Sequence, residues 1–580
     1  MKSSNNVKVK MVTRKKTERR YTPVQSMNHF TEKLREKGDK KLFMWYDSAR
    51  ILQSISYTEF SDLIKKEAAG FFKLGFNNNR VAIIGESSPE WVATYAAVVA
   101  SGNVAIPMDK ELKIEEIEGF LSFAEADAIV FAKSFNKKFE NAIANHPTIK
   151  YFIPLSTVDL PYADSEKILP YEKLIEIGTE EVANGYELPP VKDLDRMAVM
   201  LFTSGTTGTS KCVMLSEKNV ISAINAACSC VEFFPEDTLV SVLPLHHTYE
   251  LCCLMAGINY GMTVGINDSL KHVIKNFQAF KPTGIALVPL IVNTMYKKII
   301  EEARKSGREK MLNTALKVSK VTRKVGIDLR KKLFGDVLKA FGGRLERIVC
   351  GGAPMNPEIA EKFDGFGIRV FEGYGITECS PLISVNPYYA LKRGSVGPAV
   401  ECCTVKIDAD HKNDKGYDEG EILVKGDNVM LGYYKNPEET AKVFTEDGWF
   451  RTGDEGYLDE DGYIFITGRK KFVIVLENGK NVFPEEIEEY LATIPTIAES
   501  VVVGRKKEGS DNILVTAIVY PAFSEFPDSN DLDAITKKIN EQVAELNHTL
   551  VGYKQIKAIE IRTTEFEKTT TRKIKRHLVK

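Results

Sequence analysis

The stretch Arg80–Met108 reads RVAIIGESSPEWVATYAAVVASGNVAIPM. RVAIIGES is a short apolar strand, PEWVATYAAVVASG a helix and NVAIPM a second strand. Short apolar strands alternating with helices mark a parallel sheet covered on both faces. The same rhythm returns downstream at MAVMLFTSG, TLVSVLPL with its following helix, GIALVPL, LERIVCGGAP and IRVFEGYG. Upstream, SYTEFSDLIKKEAAGFFKLGF opens on a capping signal and keeps helical periodicity up to Gly75. Two wound α/β subdomains account for this part of the chain. Beyond about Pro398 the texture changes. VKI, GEILVKG, WFRTGDEGYLD and GYIFITG are short strands separated by Asp-Gly and Glu-Gly turns, which predicts a small antiparallel sheet or distorted barrel. From residue 471 to 580 a compact α+β unit follows: FVIVLENGKNV, the helix PEEIEEYLATI, a hairpin-like SVVVGRKKEGSDNILVTAIVY, a helix over Asp531–Leu546 and a last strand. The expected class is α/β, with a large domain over 26–470 and a small C-terminal α+β domain over 471–580.

The whole chain has 580 residues, 78 basic against 79 acidic side chains and a net charge of -1. That length suggests three or more folding units. The balance excludes a surface built throughout for nucleic acid, and equally an acidic disordered chain. No apolar run reaches the roughly 18 residues of a membrane span; the stretch at Tyr95–Met108 is broken by Ser101, Gly102 and Asn103. The nine cysteines show no metal-ligand spacing and read as buried, reduced thiols. Residues 1–25 begin MKSSNNVKVKMVTRKKTERR, a basic tail without the apolar core of a secretory signal. Cytoplasm is the expected address, with peripheral contact at the inner membrane face as the electrostatic alternative. The segment 297–340 reads as a basic helical insertion, a solvated surface element or one that attracts anionic ligands or anionic membrane.

LFTSGTTGTSK, Leu201 to Lys211, is a strand running into a turn dense in hydroxyls and glycines that ends in a lysine. Glycines let backbone N–H groups approach phosphate oxygens, hydroxyls add donors, and lysine adds a point charge. It is not a Walker loop, since no glycine directly precedes Lys211. Further along stand LPLHHTYE, GYGITE, WFRTGD, GRKK and a near-terminal TTTRKIKR. In this order the motifs resemble the adenylate-forming superfamily of acyl-CoA synthetases, luciferases and peptide-synthetase adenylation domains. The basic insertion and VLENGKNVFPEEIE look most like long-chain fatty acid–CoA ligases.

The resemblance implies a two-step ligase. A fatty acid of medium to long chain attacks the α-phosphate of ATP, pyrophosphate leaves, and coenzyme A then takes the acyl group from the adenylate and releases AMP. A carrier-protein phosphopantetheine as acceptor, and a non-catalytic nucleotide- or acyl-binding protein, are the alternatives. Charge accumulates on phosphates, so the protein's task is positioning and electrostatic stabilisation. By resemblance, Thr203, Ser204, Gly205, Thr206, Thr207, Gly208 and Lys211 hold the β- and γ-phosphates, and Thr203 with Glu378 flank Mg2+. Gly351, Gly352 and Ala353 form a side-chain-poor adenine wall, Tyr374 stacks, and Gly375 and Thr377 belong to the same turn. Asp454 accepts the ribose hydroxyls and Arg469 contacts ribose or phosphate. His247 orients the substrate carboxylate at the mouth of the acyl pocket, with His246 beside it as an extra. Lys573, preceded by Arg572 where glycine is commonest, reaches the carboxylate and α-phosphate. It must then leave, so the small domain rotates about a hinge at Lys471 and brings Gly479 to the pantetheine tunnel. The acyl pocket should be walled by the helix after His247 and by Gly375–Ile383. The partners are then fatty acid and coenzyme A, with acyl carrier protein as the alternative acceptor, no nucleic acid, and a monomeric or homodimeric state.

Overall fold

Ser88 caps the helix Pro89–Ala100, its hydroxyl accepting from the Trp91 N–H at 3.1 Å. Every residue of that helix except Glu90 is buried, as expected of a helix that is apolar all round. The flanking strands Arg80–Ile84 and Val104–Met108 pair in parallel, Arg80 opposite Val104. In this computed structural model the described residues are 21–203, 210–269, 271–476, 481–506, 513–526, 531–568 and 574–579.

The first sheet has seven strands, with Gly432–Tyr433, Lys211–Ser216 and Met197–Thr203 leading into Val104–Met108, Arg80–Ile84, Ala128–Phe131 and Tyr151–Pro154. Its run from Met197–Thr203 to Tyr151–Pro154 is parallel, and the other edge turns antiparallel. The second has eight strands, in the order Leu382–Val385, Arg369–Gly375, Arg347–Cys350, Gly284–Leu287, Thr238–Ser241, Thr263–Ile266, Lys41–Tyr46 and Leu52–Ser56. A four-stranded antiparallel sheet of Cys403–Lys412, Asp418–Gly426, Phe450–Leu458 and Ile464–Arg469 completes the large unit. The C-terminal unit packs the helices Pro484–Leu491 and Leu532–Asn547 on the hairpin Ile497–Lys506/Ile513–Pro521, with Ala558–Ile561 added in parallel.

In three details the structure adds to the sequence reading or departs from it. The hairpin Lys41–Tyr46/Leu52–Ser56 lies at the edge of the second sheet, so the two wound subdomains interleave and do not follow one another along the chain. The tail expected over 1–25 runs too far: Tyr21 and Val24 are buried, and Asn225 accepts from the Tyr21 hydroxyl at 3.2 Å and from the Val24 N–H at 3.0 Å. Residues 1–20 lie outside the described ones. The basic insertion is the crossover between the strands Gly284–Leu287 and Arg347–Cys350, and it begins earlier than expected, at the helix Pro289–Lys305. The nine cysteines are free thiols, six buried and three half-buried, as the sequence implied. Among the described residues, no helix is long and apolar enough to cross a membrane.

The helix Tyr57–Lys73 begins on the Ser56–Glu59 capping box that the sequence announces. It meets the helix Tyr171–Ala183 at two glycines. A Cβ on Gly178 would lie 1.7 Å from the Lys66 carbonyl oxygen, and one on Gly70 2.6 Å from that of Leu174. The close approach buries Glu67, which accepts from the Tyr171 hydroxyl at 3.0 Å; burial pushes its carboxyl up to about 8, so it keeps its proton at neutral pH. Because backbone cannot yield as a side-chain end does, Gly178→Ala is expected to destabilise the large unit by about 1–3 kcal/mol. A lower urea midpoint in far-UV circular dichroism would show it, and an unchanged midpoint would contradict this packing.

Candidate active site

The strands Met197–Thr203 and Lys211–Ser216 form a hairpin in which Thr203 and Lys211 face one another across the ladder. Their pairing sets side by side the residues that flank the Ser/Thr/Gly run in the sequence. Ser204, Gly205, Thr206, Thr207 and Gly208 themselves lie outside the described residues. The Lys211 ammonium contacts Glu439 Oε2 at 2.7 Å and sits 4.8 Å from the Tyr433 ring centroid. With Lys211 and Lys442 both donating to it, the Glu439 carboxyl is held down at about 2. Tyr433 is the edge-strand partner of Val213, and its hydroxyl donates to Glu378 Oε1 at 2.9 Å. Lys211 and Glu378 thus meet at one tyrosine, with Thr203 the ladder partner of Lys211, although 167 residues of numbering separate Lys211 from Glu378.

Glu378 stands in the turn Thr377–Cys379, whose Thr377 carbonyl accepts from the Ser380 N–H at 3.2 Å. The strand before it, Arg369–Gly375, delivers Tyr374. The Tyr374 hydroxyl donates to Asp454 Oδ2 at 2.7 Å, while Arg469 Nε approaches Asp454 Oδ1 at 3.1 Å. Asp454 and Arg469 are register partners on the strands Phe450–Leu458 and Ile464–Arg469. Burial, with Asp454 beside it, holds the Tyr374 phenol well above its usual range, and the Asp454 charge raises the Arg469 guanidinium. Gly351 is buried at the end of the strand Arg347–Cys350, and Gly352 and Ala353 follow it exposed.

Gly351, Gly352, Tyr374 and Gly375 line an apolar cavity of about 850 Å³, its open mouth included. Six residues of the helix Thr248–Tyr260 line it: Tyr249, Cys252, Cys253, Ala256, Gly257 and Tyr260. Phe233, Leu239 and Met262 add further apolar walls. The helix expected as a pocket wall thus lines this cavity, and Gly375 and Leu382 line it from the expected Gly375–Ile383 segment. Tyr249 turns its hydroxyl away into the sheet, donating to the Leu287 and Val349 carbonyls at 3.2 and 2.9 Å, and so presents ring to the cavity. Burial pushes the Cys252 thiol up to about 12, so it lines the cavity as a neutral group. His247 is the N-cap of that helix and packs on His246, with ring centroids 4.0 Å apart. It is His246, set aside as an extra by the motif, that lines a second, smaller cavity with Thr248 and Cys252; its Nε2 lies 3.4 Å from Asp109 Oδ2.

Lys573 and Gly479 lie outside the described residues. Lys471 is in the short turn Lys470–Phe472 that follows Arg469, its ammonium 4.4 Å from the Phe472 ring. Sequence reasoning missed Tyr433, Glu439 and the Asp109–His246 pair. A tyrosine doublet ahead of Asn436-Pro437-Glu438-Glu439 marks the start of the helix Pro437–Val443, but nothing local says that Tyr433 turns to Glu378.

Residues 30–434 match the AMP-binding enzyme family and residues 471–580 the AMP-binding enzyme C-terminal domain. The chain belongs to the AMP-binding enzyme family. It is 30% identical over 474 residues to the long-chain-fatty-acid–CoA ligase FadD15 of Mycobacterium tuberculosis, covering 78% of this chain and 76% of that protein. To long-chain-fatty-acid–CoA ligase 5 of Rattus norvegicus it is 29% identical, covering 84% and 72%. The fold matches the anthranilate CoA ligase AuaEII in complex with anthranoyl-AMP, with a TM-score of 0.75 at 19% identity over 96% of this chain and 97% of that one. It also matches ATP-bound MatB from Rhodopseudomonas palustris, with a TM-score of 0.70 at 24% identity over 96% and 98%.

A Cβ on Gly375 would fall 2.0 Å from the Pro381 carbonyl oxygen, inside the hairpin that carries both Tyr374 and Glu378. Gly375→Ala is therefore expected to open this hairpin at a cost of about 1–3 kcal/mol. Thermal unfolding should shift down, and a fluorescent fatty acid should lose affinity for the cavity; a variant with both unchanged would refute the close approach.

Proposed function

We propose that the chain activates a fatty acid of medium to long chain with ATP and transfers it to coenzyme A, giving acyl-CoA, AMP and pyrophosphate. The observation that carries this reading is the cavity, which the Gly351–Tyr374–Gly375 wall and the apolar helix Thr248–Tyr260 line together. A cavity of that lining suits an alkyl chain and gives nothing to a charged substrate tail. The curated relatives are fatty-acid–CoA ligases, which favours coenzyme A over a carrier protein as acceptor and a catalyst over a binder. A membrane-partitioning substrate makes peripheral contact with a lipid surface part of the same reading.

In the first step a carboxylate oxygen bonds to the α-phosphorus and the bond to pyrophosphate breaks. In the second, the thiol sulfur bonds to the acyl carbon, AMP leaves, and the thiol proton goes to solvent or a phosphate oxygen. Both need anions brought together, so cations must sit where charge accumulates. Lys211 would exchange Glu439 for phosphate oxygens, and the Ser204–Gly208 turn would add its N–H and hydroxyl donors. Asp454 would accept from the ribose hydroxyls while Arg469 holds its other oxygen, and the Tyr374 ring would pack on adenine. His247 would orient the attacking carboxylate from the N-cap, with His246 and Asp109 behind it.

The hydroxyl of Thr203 and the carboxylate of Glu378 are hard oxygen donors, the set Mg2+ takes together with phosphate oxygens and water. Tyr433 restrains that carboxylate at 2.9 Å, so these residues fit the ion. Bound there, Mg2+ would offset charge on the phosphates. Lys573 would supply the remaining cation from the small domain and depart when 471–580 turns about Lys471, bringing Gly479 to the thiol path.

With ATP and a long-chain fatty acid but no thiol, pyrophosphate release is expected to stop near one equivalent per enzyme. Adding coenzyme A should make it catalytic with acyl-CoA as product. No release with any fatty acid sinks the proposal, and turnover only with a carrier protein reassigns the acceptor. For the hinge, Lys471→Pro should keep the single equivalent of pyrophosphate while steady-state thioester synthesis falls by about tenfold or more. Thioester synthesis equal to wild type would show that the hinge is elsewhere.

A further inference from the structure

The helix Glu309–Lys324 turns Leu312, Ala315 and Leu316 into the second-sheet core, and its buried Ser319 donates to the Gly365 carbonyl at 3.3 Å. That face is satisfied. The outward surface is not polar throughout, as that of a solvated surface helix would be. Met311, Val318, Val321 and Val325 stand 63%, 40%, 63% and 70% exposed. Met311, Val318 and Val325 recur every seven residues, and so do Lys310, Lys317 and Lys324. A seven-residue step drifts by only about 20° around an α-helix, so the two sets form adjacent rows running the length of the helix. Lys320 and Arg323 turn instead toward the neighbouring helix Pro357–Phe366, pairing with Glu361 at 2.9 Å and Asp364 at 2.9 Å. Ile327 and Leu333, exposed at 53% and 37%, prolong the apolar surface beyond the helix.

We infer that this face is a docking surface for an anionic lipid bilayer. An apolar row bordered by lysines matches a helix lying in the membrane interface, the apolar side chains entering the acyl boundary and the ammonium groups reaching lipid phosphates. Charge selects this occupant. A second copy would bring the same lysine row against itself, whereas a negative lipid surface complements it. From Lys297 to Lys339 the chain carries 14 basic and five acidic residues, so the field around the face is positive as well. The docking itself does not depend on the proposed activity. Its use does: the crossover begins at Pro289, just after the strand Gly284–Leu287 whose Ala286 lines the acyl cavity. A bilayer seated there holds the store of substrate close to the protein that consumes it.

The test is co-sedimentation of the full chain with large vesicles of phosphatidylcholine alone or with about one-third phosphatidylglycerol. Wild type should pellet with the anionic vesicles and be released by salt at about 0.5 M, where screening shortens the reach of the lysines. Two variants separate the two rows: Lys310→Glu/Lys317→Glu/Lys324→Glu, and Val321→Glu/Val325→Glu. Each should weaken vesicle binding by about tenfold or more while circular dichroism and turnover of a short, water-soluble carboxylate substrate stay at wild-type values. Variants that bind vesicles as wild type does would overturn the inference and leave the basic N-terminal residues as the contact. A wild type that stays in the supernatant would overturn it outright. So would light scattering in which wild type self-associates without vesicles and the valine variant does not, because that assigns the face to a second copy. Failure of the pyrophosphate assay with vesicle binding intact would remove the proposed activity and leave this surface standing.

Discussion

The carboxylate of Asp454 is buried and engaged from two sides, by the Tyr374 hydroxyl at 2.7 Å and the Arg469 guanidinium at 3.1 Å. A buried carboxylate stripped of such partners costs several kcal/mol, so the arrangement constrains its neighbours strongly. Tyr374 belongs to the eight-stranded sheet, whereas Asp454 and Arg469 belong to the four-stranded one. One carboxylate therefore ties the two sheets together beside the cavity that Tyr374 lines. Arg469 is also the last residue before the turn Lys470–Phe472, through which the chain leaves for the C-terminal unit. The contact thus stands both where the two sheets meet and where the chain leaves for the C-terminal unit.

The cavity obeys a second constraint, that of volume. Gly351, Gly352, Gly373 and Gly375 keep one wall of it free of side chains, and at Gly373 and Gly375 the surroundings leave little room for more. A Cβ on Gly373 would lie 3.1 Å from Val385, and one on Gly375 2.0 Å from a carbonyl oxygen. The helix Thr248–Tyr260, which also lines the cavity, is apolar on nearly all sides. It has to be, since one flank closes the core that joins the sheets and another lines the cavity.

The strands and helices around Arg80–Met108 and along the second sheet were legible because buried parallel strands and capped helices leave local signatures. The hairpin Lys41–Tyr46/Leu52–Ser56 was not, because its half-exposed strands take their place from the neighbour Thr263–Ile266, more than 200 residues away. Of the candidate site, Thr203, Lys211, Glu378, Tyr374, Asp454 and Arg469 could be chosen from their motifs, since each stands in a short run of unusual composition. Tyr433, Glu439 and the partnership of His246 with Asp109 had no such run around them. Their meaning lies in atoms brought near by edge-strand pairing and by the meeting of the two sheets. The same holds for the helix Glu309–Lys324, whose composition announced a basic element but not which of its apolar residues would remain outside.

By itself the sequence determined the chain of α/β units and the family to which the motifs point, because these are written in contiguous residues whose local preferences agree. The tertiary structure alone decided how the sheets interleave, that Asp454 unites Tyr374 with Arg469, that Tyr433 stands between Lys211 and Glu378, and where the cavity runs. Those outcomes depend on distances between residues far apart in the chain. Folding sets such distances through packing and hydrogen-bond partnership, and no stretch of residues carries them in its own composition.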